Sequence, residues 1–203
     1  DNGHIKQFSV RNGKMIKNFG PIFEQGILSI LITPDNKWLF AGSTQGHLKQ
    51  ICLESQLIIR DYGKIHANKI TCLETTRDSK WLITGSSDGH GKRISVDKRE
   101  VDKDFGPVCG NPITTMEITA DGEKLFVGDN SGHLKVISLI DGQVSKDFGK
   151  IHDTWISGIM ITVDQKSFFT SSRDGVLKQW NYRNNSIVKD HGEIMYEISS
   201  SCF

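Results

Sequence analysis

Residues 45–53 read QGHLKQICL, and residues 131–139 read SGHLKVISL. The two stretches begin 86 positions apart (131 − 45), which is twice 43, and a step of 43 recurs along the chain. This step separates five glycines and four aspartates: Gly3, Gly46, Gly89, Gly132 and Gly175, and Asp35, Asp78, Asp121 and Asp164. A repeat of about 40 to 45 residues is typical of propeller blades or of helical arrays.

The residues within each copy distinguish these two architectures. Each copy contains four short apolar runs rich in β-branched and aromatic residues, such as ILSILIT at 27–33 and KWLFAGS at 37–43. Turn sequences such as RDS at 77–79 and SDG at 87–89 separate the runs. No run keeps a helical period over the ten or so positions that a helix needs. The repeat therefore predicts an all-β fold, a β-propeller of four-stranded antiparallel blades.

The period also divides the chain. We predict a single propeller segment, 1–203, with four complete repeats at 26–68, 69–111, 112–154 and 155–197. A partial blade at 1–25 precedes them, and 198–203 begins a further blade. Because such an array leaves blade faces and sheet edges unpaired, we expect it to belong to a larger propeller. Residues 1–203 alone are expected to self-associate, which gel filtration with light scattering would detect.

Composition narrows the class of partner. The chain has 25 basic and 24 acidic residues and a formal charge of +1, so nucleic acid is not an expected partner. No apolar run reaches the length of a membrane helix, so no membrane insertion is predicted. The four cysteines are scattered without a CxxC pair, which is typical of reduced thiols and of neither a disulfide framework nor a zinc site. We expect an intracellular protein, cytoplasmic or cytoskeletal.

The copy at 149–192 resembles the WD-repeat (WD40-type) family of β-propellers. A histidine precedes its first strand, an aspartate lies in the following turn, and an Asp-Gly turn leads to a strand that ends in tryptophan. Here these residues are His152, Asp164, Asp174-Gly175 and Trp180.

In that family, the histidine, a hydroxyl, the aspartate of the Asp-Gly turn and the tryptophan form a hydrogen-bonded relay that holds a blade together. The resemblance assigns this relay to His152, Thr170, Asp174 and Trp180. It assigns a shorter relay to His66, Thr84 and Asp88, since Ile94 stands at the tryptophan position.

Other residues also recur once per copy. The histidines that follow the repeated glycines lie on different blades, about 10 Å apart, so we interpret them as structural positions and predict no metal site; they are His4, His47, His90 and His133. We predict that the recurring lysines keep solvated head groups; they are Lys6, Lys49, Lys92, Lys135 and Lys178. The charges in segments such as RDYG and KDFG are predicted to keep the outer strand from pairing with other sheets.

No catalytic motif occurs, and the Ser, His and Asp residues fall on repeated turn positions. We therefore predict no enzymatic activity and no cofactor. The first strands are expected to line a central channel with small neutral residues, among them Ser29, Thr71, Thr114 and Ser157. The alternative is a propeller enzyme or small-ligand binder that uses this channel.

Candidate partner-binding residues are those that break the repeat. Trp155 and Arg173 have no counterpart in the other copies, and we place both on one face of the propeller, with Tyr196 and Phe23 in neighbouring loops. Trp38 and Trp81 begin equivalent strands on the opposite face. Trp, Tyr and Arg are enriched in binding hot spots, although a tryptophan can also serve only to pack. The sequence therefore predicts a non-catalytic scaffold that binds other proteins, as a subunit of a large intracellular assembly.

Overall fold

The computed structural model describes residues 3–193, and the regular elements in this range are all β-strands. The predicted all-β fold of four-stranded antiparallel blades is therefore confirmed for this part of the chain. Tyr196 and the predicted start of a further blade at 198–203 lie outside the described residues.

The strands form a two-stranded half-blade and four complete blades. The half-blade contains β1 (His4–Phe8) and β2 (Met15–Pro21). Blade 1 contains β3 (Ile27–Ile32), β4 (Trp38–Ser43), β5 (His47–Cys52) and β6 (Ile58–Lys64). Blade 2 contains β7 (Ile70–Thr75), β8 (Trp81–Ser86), β9 (His90–Ser95) and β10 (Glu100–Pro107). Blade 3 contains β11 (Ile113–Ile118), β12 (Lys124–Asp129), β13 (His133–Ser138) and β14 (Val144–Lys150). Blade 4 contains β15 (Ile156–Ile161), β16 (Ser167–Ser172), β17 (Val176–Asn181) and β18 (Ile187–Glu193).

Within each blade the strands pair antiparallel in chain order and are called a, b, c and d below. The a strands of consecutive blades contact one another, β3 with β7, β7 with β11 and β11 with β15. The a strands are therefore the inner strands and the d strands form the outer rim. Within the described residues the blades do not close into a ring.

The recurring aspartates shape the turn between strands a and b. In blade 1, the Thr33 hydroxyl donates to Asp35 Oδ1 at 2.6 Å, and the amide of Lys37 donates to the same oxygen at 3.1 Å. The same threonine–aspartate contact occurs in the other blades, as Thr76–Asp78, Thr119–Asp121 and Thr162–Asp164. These hydrogen bonds satisfy turn groups locally, which explains why the aspartate follows the 43-residue step.

The recurring glycines lie where two backbones meet. Gly132 has a φ of +88°, and its carbonyl accepts hydrogen bonds from the amides of Ile151 and His152, in the loop that enters blade 4. A Cβ at Gly132 would lie 1.9 Å from the His152 carbonyl oxygen. Only glycine meets both requirements, because it has no Cβ and tolerates positive φ.

The Asp-Tyr-Gly, Asp-Phe-Gly and Asp-His-Gly segments of the d strands form bulges. In blade 1, the Asp61 carboxylate accepts the Gly63 amide at 2.8 Å, Gly63 has a φ of +68°, and the pairing of β5 with β6 shifts register beside Lys49. Equivalent bonds occur in blades 2 to 4, at Asp104–Gly106, Asp147–Gly149 and Asp190–Gly192. These aspartates therefore shape the outer strand. The sequence-based prediction assigned their charges only to preventing the outer strand from pairing with other sheets and did not include this role.

The prediction that the recurring lysines have solvated head groups was wrong for Lys49, Lys92, Lys135 and Lys178, whereas Lys6 is exposed. Lys178 Nζ donates to the Ile151 carbonyl oxygen at 2.7 Å and lies 3.7 Å from Asp190 Oδ2, and its side chain is largely buried. Lys49 and Lys135 make the corresponding carbonyl bonds to Ile22 and Val108, at 2.9 and 3.3 Å. A desolvated ammonium group needs such partners, so these lysines fasten the loop before strand a to strands c and d.

Apolar side chains fill the interfaces between blades. Between blades 3 and 4, Phe126 of strand b contacts the fully buried Phe168, with ring centroids 5.0 Å apart. Between blades 2 and 3, Ile83 packs with Met116 and Leu125. Each blade therefore needs its neighbour to bury its faces, as expected for a repeat array.

Candidate interaction surface

The buried polar residues of blade 4 form a short chain of hydrogen bonds. His152 Nε2 lies 2.8 Å from Thr170 Oγ1, and Trp180 Nε1 donates to the same hydroxyl oxygen at 2.9 Å. All three residues are buried, and burial lowers the pKa of His152 to about 4. The neutral imidazole of His152 and the indole N–H of Trp180 therefore share one hydrogen-bond partner, the Thr170 hydroxyl group.

Asp174, which the resemblance assigns to this relay, makes other contacts. Its carboxylate accepts hydrogen bonds from the Ser172 hydroxyl group and, at 3.4 Å, from the amide of Val176. No hydrogen bond joins Asp174 to His152 in the part of the chain that the structure describes. Asp174 therefore shapes the turn between strands b and c and is not a member of the bonded chain.

Blade 2 has a related but different arrangement. His66 Nε2 lies 2.8 Å from Thr84 Oγ1, and the fully buried Ile94 stands in place of the tryptophan. His66 Nδ1 lies 3.3 Å from Asp88 Oδ2, but the angle between the two groups does not allow a hydrogen bond. Nδ1 is therefore buried without a hydrogen-bond partner. Burial outweighs the carboxylate and lowers the pKa of His66 to about 4. Asp88 instead accepts the amides of Ala67 and His90.

The structure brings two of the predicted partner-binding residues together. Trp155 is 45% exposed, and the Arg173 guanidinium carbon lies 5.0 Å from the centroid of its ring. The amide of Arg173 also donates to the Trp155 carbonyl oxygen at 2.9 Å. We call this exposed pair the Trp155–Arg173 patch.

Phe23 does not belong to an exposed surface, so its assignment as a partner-binding residue was wrong. It is 6% exposed and packs with Ile22 and Leu39 between the half-blade and blade 1, with Lys49 Nζ 5.0 Å from its ring centroid. Its place in a loop suggested exposure, whereas the adjacent strands of blade 1 cover it.

Trp38 and Trp81, on the opposite face, are partly buried beneath arginines. Arg99 lies 5.9 Å from the Trp38 ring and Arg93 lies 4.5 Å from the Trp81 ring. Arg93 also pairs with Asp102 and donates to the Leu139 carbonyl oxygen of blade 3. The two indoles are therefore held in stacked contacts with cationic side chains, and they offer less free surface than Trp155.

The small polar residues on the inner strands bond to the protein itself. Ser29, Thr71 and Thr114 donate to carbonyl oxygens on the inner strand of the next blade, at distances of 3.1, 2.7 and 2.6 Å. Ser157 Oγ lies 3.0 Å from Ser171 Oγ. The first three hydroxyl groups tie neighbouring inner strands together, whereas Ser157 contacts strand b of its own blade. All four are engaged within the protein, which favours a packing role over channel chemistry.

Two carboxylates on inner strands were not identified as candidate residues from the sequence. Glu74 on β7 and Glu117 on β11 occupy equivalent repeat positions, where blades 1 and 4 have Leu31 and Met160. Burial and the nearby Glu117 carboxylate raise the pKa of Glu74 to about 8, and burial raises the pKa of Glu117 to about 7. A charge at a repeat position that is apolar in other copies is the signal that could have revealed them.

The remaining candidate sites are modest. A cavity of about 220 Å³ on blade 2 is lined by Ile65, Ala67, Asp88, His90, Lys92 and Asp104. Its charged groups are already engaged, since Lys92 donates to Asp104 and Asp88 accepts backbone amides. Across residues 3–193, no three His, Cys, Asp or Glu side chains are grouped as a metal site would require, and no helix could span a membrane.

Comparisons with known proteins agree with this architecture. The model of the "WD domain, G-beta repeat" family matches residues 61–92 and 145–181. These ranges include the whole of strands β8 and β16, in which Thr84 and Thr170 lie. A chain in the crystal structure of the mitotic checkpoint complex superposes with a TM-score of 0.85 at 16% identity. The match covers 96% of the present chain and 59% of that chain, and no curated protein sequence matches. WD40 propellers typically serve as protein-interaction scaffolds. Two segments of the chain thus match the WD-repeat model, and the described residues have the fold of a β-propeller.

Proposed function

We propose that this chain is a non-catalytic scaffold that binds another protein through the Trp155–Arg173 patch, as a subunit of an intracellular assembly. The observation that carries the proposal is an exposed indole held under a guanidinium group on the loop face of blade 4. Loops on a rigid scaffold are common binding sites, and propellers display such loops on a fixed disc.

Comparison of the repeats supports a role outside the fold. At the Trp155 position, blades 1, 2 and 3 have Gly26, Lys69 and Pro112, respectively. At the Arg173 position they have Thr44, Ser87 and Asn130. Those blades fold without an aromatic or a guanidinium group there. Since folding does not require the pair, a binding role explains its presence.

The geometry of the patch suits binding. The stacking contact and the 2.9 Å backbone bond hold both side chains in place, so a partner would lose little additional side-chain entropy by ordering them. Arg173 forms no ion pair with the described residues, which leaves its N–H groups for a partner's acceptors. Lys150 and Asp153, 3.6 Å apart, lie nearby in sequence and provide charged surroundings.

We expect Trp155→Ala to reduce partner capture from native extract at least tenfold, because removal of a hot-spot tryptophan costs about 2 kcal/mol or more. The protein is used as bait, and the recovered proteins are quantified by mass spectrometry. Lys69→Ala, at the equivalent position of blade 2, is the matched control and should recover the same proteins as the wild type. Thermal melts of both variants should match the wild type, since both side chains are at the surface.

Two results would contradict the proposal. One is equal recovery of every partner with Trp155→Ala and with the wild type. The other is recovery of the protein alone with a bound small molecule, which would favour the alternative of a ligand-binding channel.

A further inference from the structure

Two exposed arginines lie at the boundary between blades 1 and 2. Arg60 is on β6, the outer strand of blade 1, and Arg99 ends the turn between β9 and β10 of blade 2. The Arg60 guanidinium carbon lies 5.6 Å from the ring centroid of Tyr62. The Arg99 guanidinium carbon lies 5.9 Å from the ring centroid of Trp38. Both rings pack against an apolar cluster that contains Leu82 of blade 2, so each cation is held on an aromatic ring at this boundary.

The strand register places the two arginine contacts on one side of blade 1. Gln50 is opposite Arg60 in the β5–β6 pairing. Cys52, two positions further along β5, is opposite Trp38. Because alternate residues of a strand share a face, Arg60 and Trp38 are on the same face of the blade, the face toward blade 2.

Tyr62 lies between the two cations. Its hydroxyl donates to Oε1 of the fully buried Gln50 at 2.9 Å, which fixes the position of the ring. Burial raises the pKa of Tyr62 to about 12, and the positive charges of Arg60 and Arg99 oppose this rise without overcoming it. Both guanidinium groups therefore act on the same hydroxyl group from opposite sides of the blade boundary.

Neither guanidinium group forms a hydrogen bond or an ion pair within residues 3–193. Asp61, which follows Arg60, is paired with a lysine of β5 at 3.3 Å. Asp97 and Glu100 are near Arg99 in sequence, but neither forms an ion pair with a described residue. The N–H groups of both arginines are therefore available to an acceptor from outside the chain.

The equivalent boundaries show that the fold does not require the two arginines. At the positions of Arg60 and Arg99, the other boundaries have Lys17 with Gln56, Lys103 with Gly142, and Lys146 with Asn185. Lys103 donates to the Ile140 carbonyl oxygen at 3.3 Å, so this cation is engaged within the protein. Arg99 also has a φ of +56°, a conformation that is unfavourable for a residue with a Cβ and that Gly142 adopts without this cost.

We propose that Arg60 and Arg99 form a binding site for a phosphorylated side chain of a partner protein. A phosphate monoester carries nearly two negative charges at neutral pH and has three acceptor oxygens. Two guanidinium groups, each with a planar fork of N–H donors, match this charge and geometry better than they match a single carboxylate. The site is independent of the Trp155–Arg173 patch, which lies on blade 4.

An apolar side chain near the arginines favours a peptide over free phosphate. The Leu57 carbonyl oxygen accepts the Cys52 amide, and Cys52 is opposite Trp38, so Leu57 lies two strands, about 10 Å, from the tryptophan. Leu57 is 65% exposed. An apolar residue beside the phosphorylated one can contact Leu57 while the phosphate group binds the arginines.

Isothermal titration calorimetry of the protein with the peptide Gly-Leu-pSer-Leu-Gly tests the proposal. We expect saturable binding, and binding to Arg99→Gln should be weaker by about tenfold or more, because charge-assisted hydrogen bonds are lost. Gln56 occupies the equivalent position of blade 1 with a φ of +61°, so the variant should keep its turn. Arg60→Lys keeps the charge but loses the planar fork, and we expect about threefold weaker binding. Arg183→Gln makes the same charge change in the corresponding turn of blade 4 and should bind like the wild type.

Four results would overturn the proposal. The first is the absence of binding to the phosphopeptide. The second is equally tight binding of the same peptide with serine or glutamate in place of phosphoserine, which would show that the phosphate group is not recognised. The third is equally tight binding of inorganic phosphate, which would rule out a contribution from a partner's side chain. The fourth is unchanged binding in both Arg99→Gln and Arg60→Lys, which would place the peptide elsewhere on the protein.

Discussion

Gly132→Ala is expected to lower the free energy of unfolding by about 3 kcal/mol. A residue with a Cβ lowers the stability of the folded state by about 1 to 2 kcal/mol at positive φ, and Gly132 has a φ of +88°. The added Cβ would also lie 1.9 Å from the His152 carbonyl oxygen and 2.9 Å from that of Thr154. These are backbone atoms, so the loop must move and weaken the two hydrogen bonds to the Gly132 carbonyl, each contributing about 1 kcal/mol.

Gly149→Ala is the matched control for this prediction. Gly149 also has a positive φ, +67°, but no atom lies within 4 Å of the position that its Cβ would occupy. Only the conformational cost remains, so we expect a loss of about 1 to 2 kcal/mol. Urea unfolding at pH 7 measures both variants, and similar losses in the two would show that close backbone contact does not explain the recurring glycine.

Thr170→Val is expected to destabilise the protein by about 2 to 6 kcal/mol. Valine has nearly the shape of threonine but leaves both His152 Nε2 and Trp180 Nε1 without their common partner. Each buried polar group without a partner costs about 1 to 3 kcal/mol. Both groups lie in buried residues, so water cannot readily replace the lost hydroxyl.

Thr84→Val tests the same chemistry in blade 2. Thr84 serves only His66, because Ile94 replaces the tryptophan, so we expect a smaller loss of about 1 to 3 kcal/mol. His133→Ala should have little effect, since this partly exposed imidazole contacts only the turn around Ser131 and Asp129. Equal losses for Thr170→Val and Thr84→Val, or a large loss for His133→Ala, would contradict the assigned roles.

Contacts within a short segment could be predicted from the sequence, whereas the direction of an individual side chain could not. The turn residues could be assigned because their contacts are local, as between Thr33 and Asp35, two positions apart. The resemblance placed His152 near Thr170, and the structure puts their polar atoms 2.8 Å apart. The resemblance did not show which groups Asp174 and Asp88 would bind, because the direction of each carboxylate depends on the serine or amide groups beside it.

Contacts between blades were harder to predict. The Lys178 head group pairs with Asp190 and with a carbonyl group 27 positions earlier, and no short window of sequence shows that this geometry excludes water. The burial of Phe23 depends in the same way on strands that follow it by about 15 residues or more. A side chain at a repeat position thus has a predictable place on its strand but an unpredictable environment.

The sequence alone determined the all-β architecture, the 43-residue blade and its turns, because φ preferences, strand propensity and hydrogen bonds across a few residues are properties of short segments. The tertiary structure alone decided which side chains are desolvated and what they meet. Burial on the inner strands raises the pKa of Glu74 to about 8 and that of Glu117 to about 7, and this burial depends on the strands packed around them. Solvation and electrostatic interaction depend on distance in space, which repeat spacing does not specify at the level of single atoms.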